Sequence, residues 1–502
     1  MLKPIVMGVI ALAAGAAHAF AFAPWNLPWL EVLALAVLFV LAARARSAAQ
    51  AAALGFVFGL GWFGVGVSWV YISMHVYGAM PAPLAALATA AFCAFLSLYP
   101  ALALAAAQRL ASSVFARLAI ALPAAWTLAE WLRGTLLTGF PWLASGYAHT
   151  DGPLAGYAAV VGVYGVTLAA ALLAGALALL TLPIRQRGVR GYAWTATVLV
   201  LVLAGGLALR PLRWTEPAGA SISVKLVQAN IPQDTKFTAS GLVRAFDEHW
   251  ALMHEGPRAD LVALPESVFP VPLEFVPPAA IEQFQSFARA NRSGIVFGVF
   301  IEEPAGAYFN SAVGWAPEGT AWQRYSKQHL VPFGEFIPWG FRWFVDLMEM
   351  PIGDQQRGAA GQAPMELAGQ RIAVNICYED LFGHVIRRAW RDPERAPTVM
   401  LNLSNLAWFR DSIALPQHLQ ISRMRALETQ HPMLRATNTG ATAIIDERGA
   451  VIAELPLQRP GTLDGFVQGT EGLTPFLRLG NAPALLLSLL LAGVAAVWGR
   501  QQ

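Results

Sequence analysis

A helical membrane domain joined to a water-soluble α/β domain is the fold class that three features of the 502-residue sequence predict. The chain is 56% hydrophobic and only 13% charged, with a mean hydropathy of +0.50, which excludes both an ordinary soluble globule and a disordered chain. Its charge is unevenly spread: the first 210 residues hold ten Lys/Arg and three acids, about 6%, while the remaining 292 hold 24 and 28, about 18%. The patterning changes at the same place, from long apolar runs to short β-rich runs separated by helical stretches.

Taken in order, apolar runs near 4–22, 28–43, 51–72, 81–107, 115–132, 154–183, 192–209 and 483–498 predict about eight membrane spans. The first has the layout of a secretion signal, Lys3 before an apolar run ending AAHAFA, but six more spans follow it and a retained span is the better reading. With the N-terminus in the cytoplasm, the inner segments hold Lys3, Arg44, Arg46, Arg109, Arg117, Arg185, Arg187, Arg190 and Arg500. The short outer loops then hold only Arg133. Both termini are therefore expected in the cytoplasm of a multi-pass inner-membrane protein, with the soluble part in the periplasm of a Gram-negative cell. The expected division is 1–210 for the membrane domain, 211–480 for the soluble domain and 481–502 for a last span, with a hinge near Pro211, Pro217 and Gly219.

The soluble part predicts strands at 222–230, 260–266, 294–302, 371–377, 398–404 and 441–447, and helices at 239–255, 279–291, 380–391 and 412–430. That alternation is an α/β domain. No basic run interleaved with aromatics appears, so nucleic-acid binding is not expected. His75, His329 and His384 form no ligand-spaced cluster, so neither a metal nor another cofactor is expected. Cys93, in AAFCAFL, reads as a buried inert thiol, and with Cys377 it makes no disulfide framework. Glu130 and Arg133 read as an interfacial ion pair, and Trp25, Trp29, Trp126, Trp131 and Trp142 as interfacial anchors.

Three polar groups stand where catalytic groups of α/β domains collect, two of them closing predicted strands. Glu266 closes DLVALPE, Lys327 follows AWQRYSK, and Cys377 closes RIAVNIC before a polar turn into a predicted helix. Taken singly, the acid and the lysine also fit a solvated sheet edge, and the cysteine a buried structural thiol. Together they make chemical sense. A thiol with an ordinary pKa of about 8.5 is only slightly ionised at neutral pH, so a nucleophilic Cys377 needs a base, which Glu266 supplies. Lys327 can meet the thiolate and the oxyanion, a helix N-terminus would favour both charges, and Glu335 can hold the lysine or tune the base.

LPES (264–267), YSKQHLVPFGEFIP (325–338) and NICYED (375–380), in that order and about 60 and 50 residues apart, resemble the Glu, Lys, Cys motifs of the nitrilase superfamily. Within it, nearly the whole chain resembles the membrane-bound bacterial apolipoprotein N-acyltransferases. The resemblance implies an αββα sandwich for the soluble domain, with Cys377 as nucleophile, Glu266 as general base, Lys327 as oxyanion and thiolate partner and Glu335 in support. It also implies a phospholipid as acyl donor, the N-terminal diacylglyceryl-cysteine of an apolipoprotein as acceptor, a thioester intermediate and a monomeric enzyme. Phe237, Tyr378, Glu379, Phe336 and Trp339 are the expected substrate contacts. The aromatic segment 333–352 is the expected lid that shields the thioester from water. Two departures stand out: Phe237 replaces a frequent Trp, and Leu406 stands where relatives often carry Asp. A membrane-tethered amidase is the rival enzyme, although small-amide hydrolysis calls for neither the spans nor the lid. A transporter or receptor is the rival outside enzymology, and would need polar groups along its spans.

Overall fold

The computed structural model of the chain describes residues 3–236, 238–303, 306–319, 321–342 and 354–500. The chain forms two compact units, one of Met1–Tyr71, Pro81–Leu212 and Pro475–Gln502, the other of Ile72–Met80 and Arg213–Thr474. Three short stretches thus fall across the expected boundaries: 72–80 belongs with the soluble unit, and 211–212 and 475–480 with the helical one.

All eight apolar runs are helical. Ala48–Gly66, Ala82–Leu110, Val114–Arg133, Pro153–Leu180 and Gly191–Leu209 are long and apolar enough to cross a membrane, while Pro4–Ala19, Pro28–Ala43 and Ala482–Trp498 are shorter. Proline opens Pro4–Ala19 and Pro28–Ala43, where a missing amide hydrogen costs nothing. Ser47 caps Ala48–Gly66 by accepting from the Gln50 amide at 3.2 Å.

The helical unit is not purely apolar inside. Glu130 and Arg133, expected at the interface, are buried. Glu130 accepts from the Ser145 amide and hydroxyl, each at 2.9 Å, while Arg133 stands 3.8 Å away and donates to the carbonyls of Phe140 and Trp142. The pair therefore ties down the loop that follows its helix, through the Ser145 bonds of Glu130 and the Nη1 bonds of Arg133. Glu31 is buried too, with an oxygen 3.1 Å from His149 Nε2. Trp126 and Trp142 are buried as well, a correction to their reading as anchors, whereas Trp25 and Trp29 are exposed.

In the second unit, strands β1 (Ile222–Gln228), β2 (Leu261–Ala263), β3 (Gly294–Glu303), β4 (Ala307–Trp315), β5 (Gln323–Ser326), β6 (Met365–Leu367), β7 (Gln370–Ile376), β8 (Val399–Ser404), β9 (Met433–Thr437), β10 (Ala443–Ile445), β11 (Val451–Glu454) and β12 (Gly461–Val467) build two sheets. One has the order β12-β1-β2-β3-β4-β5, the other β11-β10-β9-β8-β7-β6. Each has parallel strands at its centre, β1-β2-β3 and β7-β8-β9, with antiparallel strands outside them.

Strand alternation decides the layering. Val224, Leu226 and Val296 of the first sheet and Ile372, Val374, Leu401 and Leu403 of the second fill one core between the sheets. Val227, Val262, Ile295 and Phe297 point the other way and pack against Ala245 and Leu252 of helix Ala239–His254 and against Phe284 and Ala288 of helix Pro278–Asn291. Helix Ala414–Thr429 packs on β9 of the other sheet. The result is an αββα sandwich in which β2 and β7 deliver their C-terminal ends to the groups of interest. The helix expected at 380–391 is instead three short turns, Cys377–Leu381, Gly383–Ile386 and Arg387–Trp390, because Phe382 leaves helical backbone geometry with φ −107° and ψ 85°.

Candidate active site

Glu266 lies in the turn after β2, and β3 holds that turn. The Gly298 amide donates to the Pro265 carbonyl at 3.0 Å, and the Val268 amide to the Gly298 carbonyl at 2.8 Å. A side chain at Gly298 would bring its Cβ within 2.6 Å of the Glu266 Cα and the Ser267 nitrogen, so glycine is required for this approach. The carboxylate is buried, with one oxygen accepting from Asn310 Nδ2 at 2.7 Å and the other from the Asn405 amide at 2.8 Å.

Lys327 follows β5 directly, and its amide donates to the Asn310 carbonyl on β4 at 2.8 Å. Its ammonium is 1% exposed, donates to Glu335 at 2.7 Å and stands 3.7 Å from Glu266. Asn310 Nδ2 also reaches Glu335, at 3.1 Å, so one amide spans both carboxylates. The other Glu335 oxygen accepts from the Val331 amide at 2.8 Å. Burial alone would drive Lys327 toward the neutral amine. The carboxylates of Glu335 and Glu266 outweigh it and hold the ammonium above its usual range.

Cys377 is the first residue past β7 and is half-buried, with φ 51°, a left-handed conformation that costs a non-glycine residue about 1–3 kcal/mol. It opens a five-residue 3₁₀ turn rather than the predicted helix, so Lys327 and not a helix dipole is the source of positive potential. Burial pushes the thiol up, Glu266 pushes it further, and Lys327 pulls it down; the balance is a thiol well above its ordinary range.

Two carboxylates just after the cysteine fix this turn. Glu379 is fully buried and accepts from the Gln328, His329 and Ile376 amides and from the Tyr325 hydroxyl, at 2.6, 3.1, 2.7 and 2.9 Å. Burial pushes it up to about 7 against those donors. Its oxygens are taken up in tying the cysteine turn to the Lys327 segment, which corrects the expectation that Glu379 touches substrate. Asp380 lies 2.9 Å from His418 Nε2 and 3.0 Å from Arg435 Nη1, and also accepts from the Ser422 hydroxyl. Burial opposes its charge, but His418 and Arg435 hold it below the usual carboxylate range.

The structure thus brings Glu266, Lys327 and Glu335 together around Asn310, with the Cys377 thiol inside their electrostatic field. Tyr378 is buried against Phe382 and His329, with ring centroids 5.1 and 5.9 Å apart. Phe336 is half-buried beneath the Arg357 guanidinium, 5.2 Å from its ring, and Trp339 is 98% exposed. Phe237 lies outside the described residues, as does 343–352 of the expected lid. Leu406, at the departure from the related pattern, is buried at 1% exposure. Sequence reasoning passed over Asn310, Asn405 and Asp380. The one visible signal was Asn310, a polar break in the apolar run AYFNSAVGW.

Residues 14–176 match the family model for the apolipoprotein N-acyltransferase N-terminal domain, and residues 223–472 match that for carbon-nitrogen hydrolases. The apolipoprotein N-acyltransferase of Ralstonia nicotianae is 51% identical over 94% of this chain and 89% of its own. That of Bordetella bronchiseptica is 45% identical over 98% of this chain and 97% of its own. A solved carbon-nitrogen hydrolase from Helicobacter pylori G27 overlaps 55% of this chain and 94% of its own at 14% identity, with a TM-score of 0.37, too loose a likeness to argue from.

Proposed function

The chain belongs to the apolipoprotein N-acyltransferases, and we propose that Cys377, Glu266 and Lys327 perform its reaction through a thioester. The protein is an integral membrane acyltransferase that N-acylates lipoproteins. Its donor is a membrane phospholipid. Glu266 takes the Cys377 proton as the sulfur attacks the sn-1 ester carbonyl, and Lys327 meets the resulting oxyanion. When the tetrahedral adduct collapses, the carbon–oxygen bond breaks. Glu266 returns the proton to the glycerol oxygen, leaving an acyl-enzyme and a lysophospholipid. The α-amine of the diacylglyceryl-cysteine, with an ordinary pKa of about 8, then attacks the thioester. Glu266 accepts the ammonium proton, the carbon–sulfur bond breaks, and the proton passes to the departing thiolate.

The observation that supports this reading most is the ammonium of Lys327, held 2.7 Å from Glu335 and 3.7 Å from Glu266 in the same field as the Cys377 thiol. Glu335, with Glu266, keeps the lysine charged and holds it in place. Glu379 positions the cysteine turn, Phe336 and Trp339 belong to the lid that excludes water, and Phe237 and Tyr378 are assigned to lipid recognition. The soluble unit works in the periplasm with both termini in the cytoplasm, the protein resides in the inner membrane, and it acts as a monomer.

Intact-mass measurement of the purified enzyme after exposure to phospholipid tests the thioester. One acyl chain should be gained on Cys377, be removed by hydroxylamine or by a diacylated peptide, and be absent from Cys377→Ala. An unmodified parent enzyme, or the same adduct in the alanine variant, would sink the mechanism. Release of free fatty acid without an N-acylated peptide would instead describe a hydrolase.

A further inference from the structure

Behind the Glu266 turn lies a second buried amine that the reaction above does not use. Lys236 is 1% exposed, and its Nζ donates to the main-chain oxygen of Glu266 at 3.3 Å. The same 231–236 segment reaches the carboxylate by a second route: Gln233 accepts from Asn405 Nδ2 at 2.9 Å, and the Asn405 amide donates to Glu266 at 2.8 Å. An ammonium taken out of water onto a neutral carbonyl is costly unless an opposite charge stands nearby. The charge that supports Lys236 is Glu266.

Charge balance at the site explains the arrangement. Glu266 and Glu335 share the Asn310 amide and the Lys327 ammonium, and Lys327 lies closer to Glu335, at 2.7 Å against 3.7 Å. Two carboxylates around one ammonium leave an excess negative charge at the place where the thiol must give up its proton.

We propose that Lys236 is a positioning residue for the base: its ammonium, anchored on the Glu266 carbonyl, holds the Glu266 turn and supplies a second positive charge beside the two carboxylates that surround Lys327. The proposal rests on Glu266 being the base. His249, buried on helix Ala239–His254, is the other titratable group acting with Lys236; burial holds it down at about 4 with the Lys236 charge acting the same way, so it is neutral at working pH. Glu335, Lys327 and the Cys377 thiol are the groups that face Glu266 from the other side. Burial brings Lys236 down to about 8 while Glu266 resists, so the ammonium persists at neutral pH.

The test is the rate of acyl-adduct formation on Cys377 of the full-length enzyme, followed by intact mass from acidic to alkaline pH. Lys236→Gln keeps a hydrogen-bond donor without the charge, Lys236→Met removes both, and Lys236→Arg keeps the charge. In the Gln and Met variants the acidic limb should move up by about one pH unit, a loss of about tenfold on that limb that recovers at alkaline pH, while Arg should keep the parent midpoint. A Gln or Met variant with the parent midpoint would overturn the proposal whatever its absolute rate, because a purely structural lysine lowers activity without moving the limb. Should neither neutral variant fold, a shifted midpoint in Lys236→Arg would overturn it and a retained one would support it. A parent enzyme acylated elsewhere than on Cys377, or a Glu266→Gln variant as fast as the parent, would be a failure of the mechanism itself, separable from a failure of the Lys236 assignment.

Discussion

Cys377 must lose a proton in surroundings that oppose its charge. Burial and the Glu266 carboxylate both raise the thiol, and Lys327 only partly offsets them. The sign of the pH dependence follows: the resting thiol stays protonated at neutral pH, and alkylation, which reads the thiolate, grows only as the pH rises past the ordinary thiol range. Glu266→Gln removes the proposed base and the repulsion together, so its two effects have opposite signs. Adduct formation from phospholipid should fall by about 10²–10⁴-fold, while alkylation of Cys377 by iodoacetamide at mildly alkaline pH should accelerate. Intact mass reads both, and a parallel fall in the two rates would mean that Glu266 acts by maintaining structure. Of the three proposed reacting groups, Glu266 and Cys377 were legible because each is a polar residue ending an apolar run, whereas Lys327 follows the polar run QRYS and stood out through the motif around it. Asn310 and Lys236 were not, since their meaning depends on which strand or turn lies beside them in the folded chain. Glu379 was misread for the same reason: next to the nucleophile in sequence, it points away from solvent into backbone donors of the Lys327 segment.

At the scale of elements, the site depends on how closely β3 approaches the turn after β2. Gly298→Ala would force the Glu266 and Ser267 backbone away from a Cβ that has no room, a displacement of the kind that costs about 1–3 kcal/mol. Thermal unfolding should register that loss, and acyl-adduct formation should fall with it because Glu266 would leave the Asn310 and Asn405 donors. A variant with parent stability and rate would show that the turn does not need this contact. The central strands were readable because Ile222–Gln228, Gly294–Glu303, Gln370–Ile376 and Val399–Ser404 are dominated by apolar, largely β-branched residues despite a few polar positions such as Lys225 and Arg371. Outer strands such as Gln323–Ser326, Val451–Glu454 and Gly461–Val467 escaped, being short or interrupted by polar residues and glycine. The sequence 380–391 looked helical by composition, but its turns are set by Phe382 and by the demand of Glu379 for backbone donors on both sides.

At the scale of the whole molecule, the contrast between 6% and 18% charge located two units but missed a piece of chain that crosses between them. Ile72–Met80 lies between apolar helices in sequence and yet belongs to the soluble unit. Ser73 donates to the Trp408 carbonyl at 3.0 Å, the Tyr77 ring meets the Trp408 ring edge-on at 5.7 Å, and the Arg410 guanidinium lies 5.7 Å over Tyr77. This clasp holds the segment that continues from β8 through Asn405, whose amide orients Glu266. It places residues 72–80 within the soluble unit. Tyr77→Ala removes an aromatic contact of about 0.5–1.5 kcal/mol. If the clasp steadies the base, acyl-adduct formation should slow by up to about tenfold, while Tyr77→Phe, which keeps the ring, should stay near the parent rate. Equal rates for the alanine variant and the parent would show that the 404–410 segment holds Glu266 without help from the membrane half of the sequence.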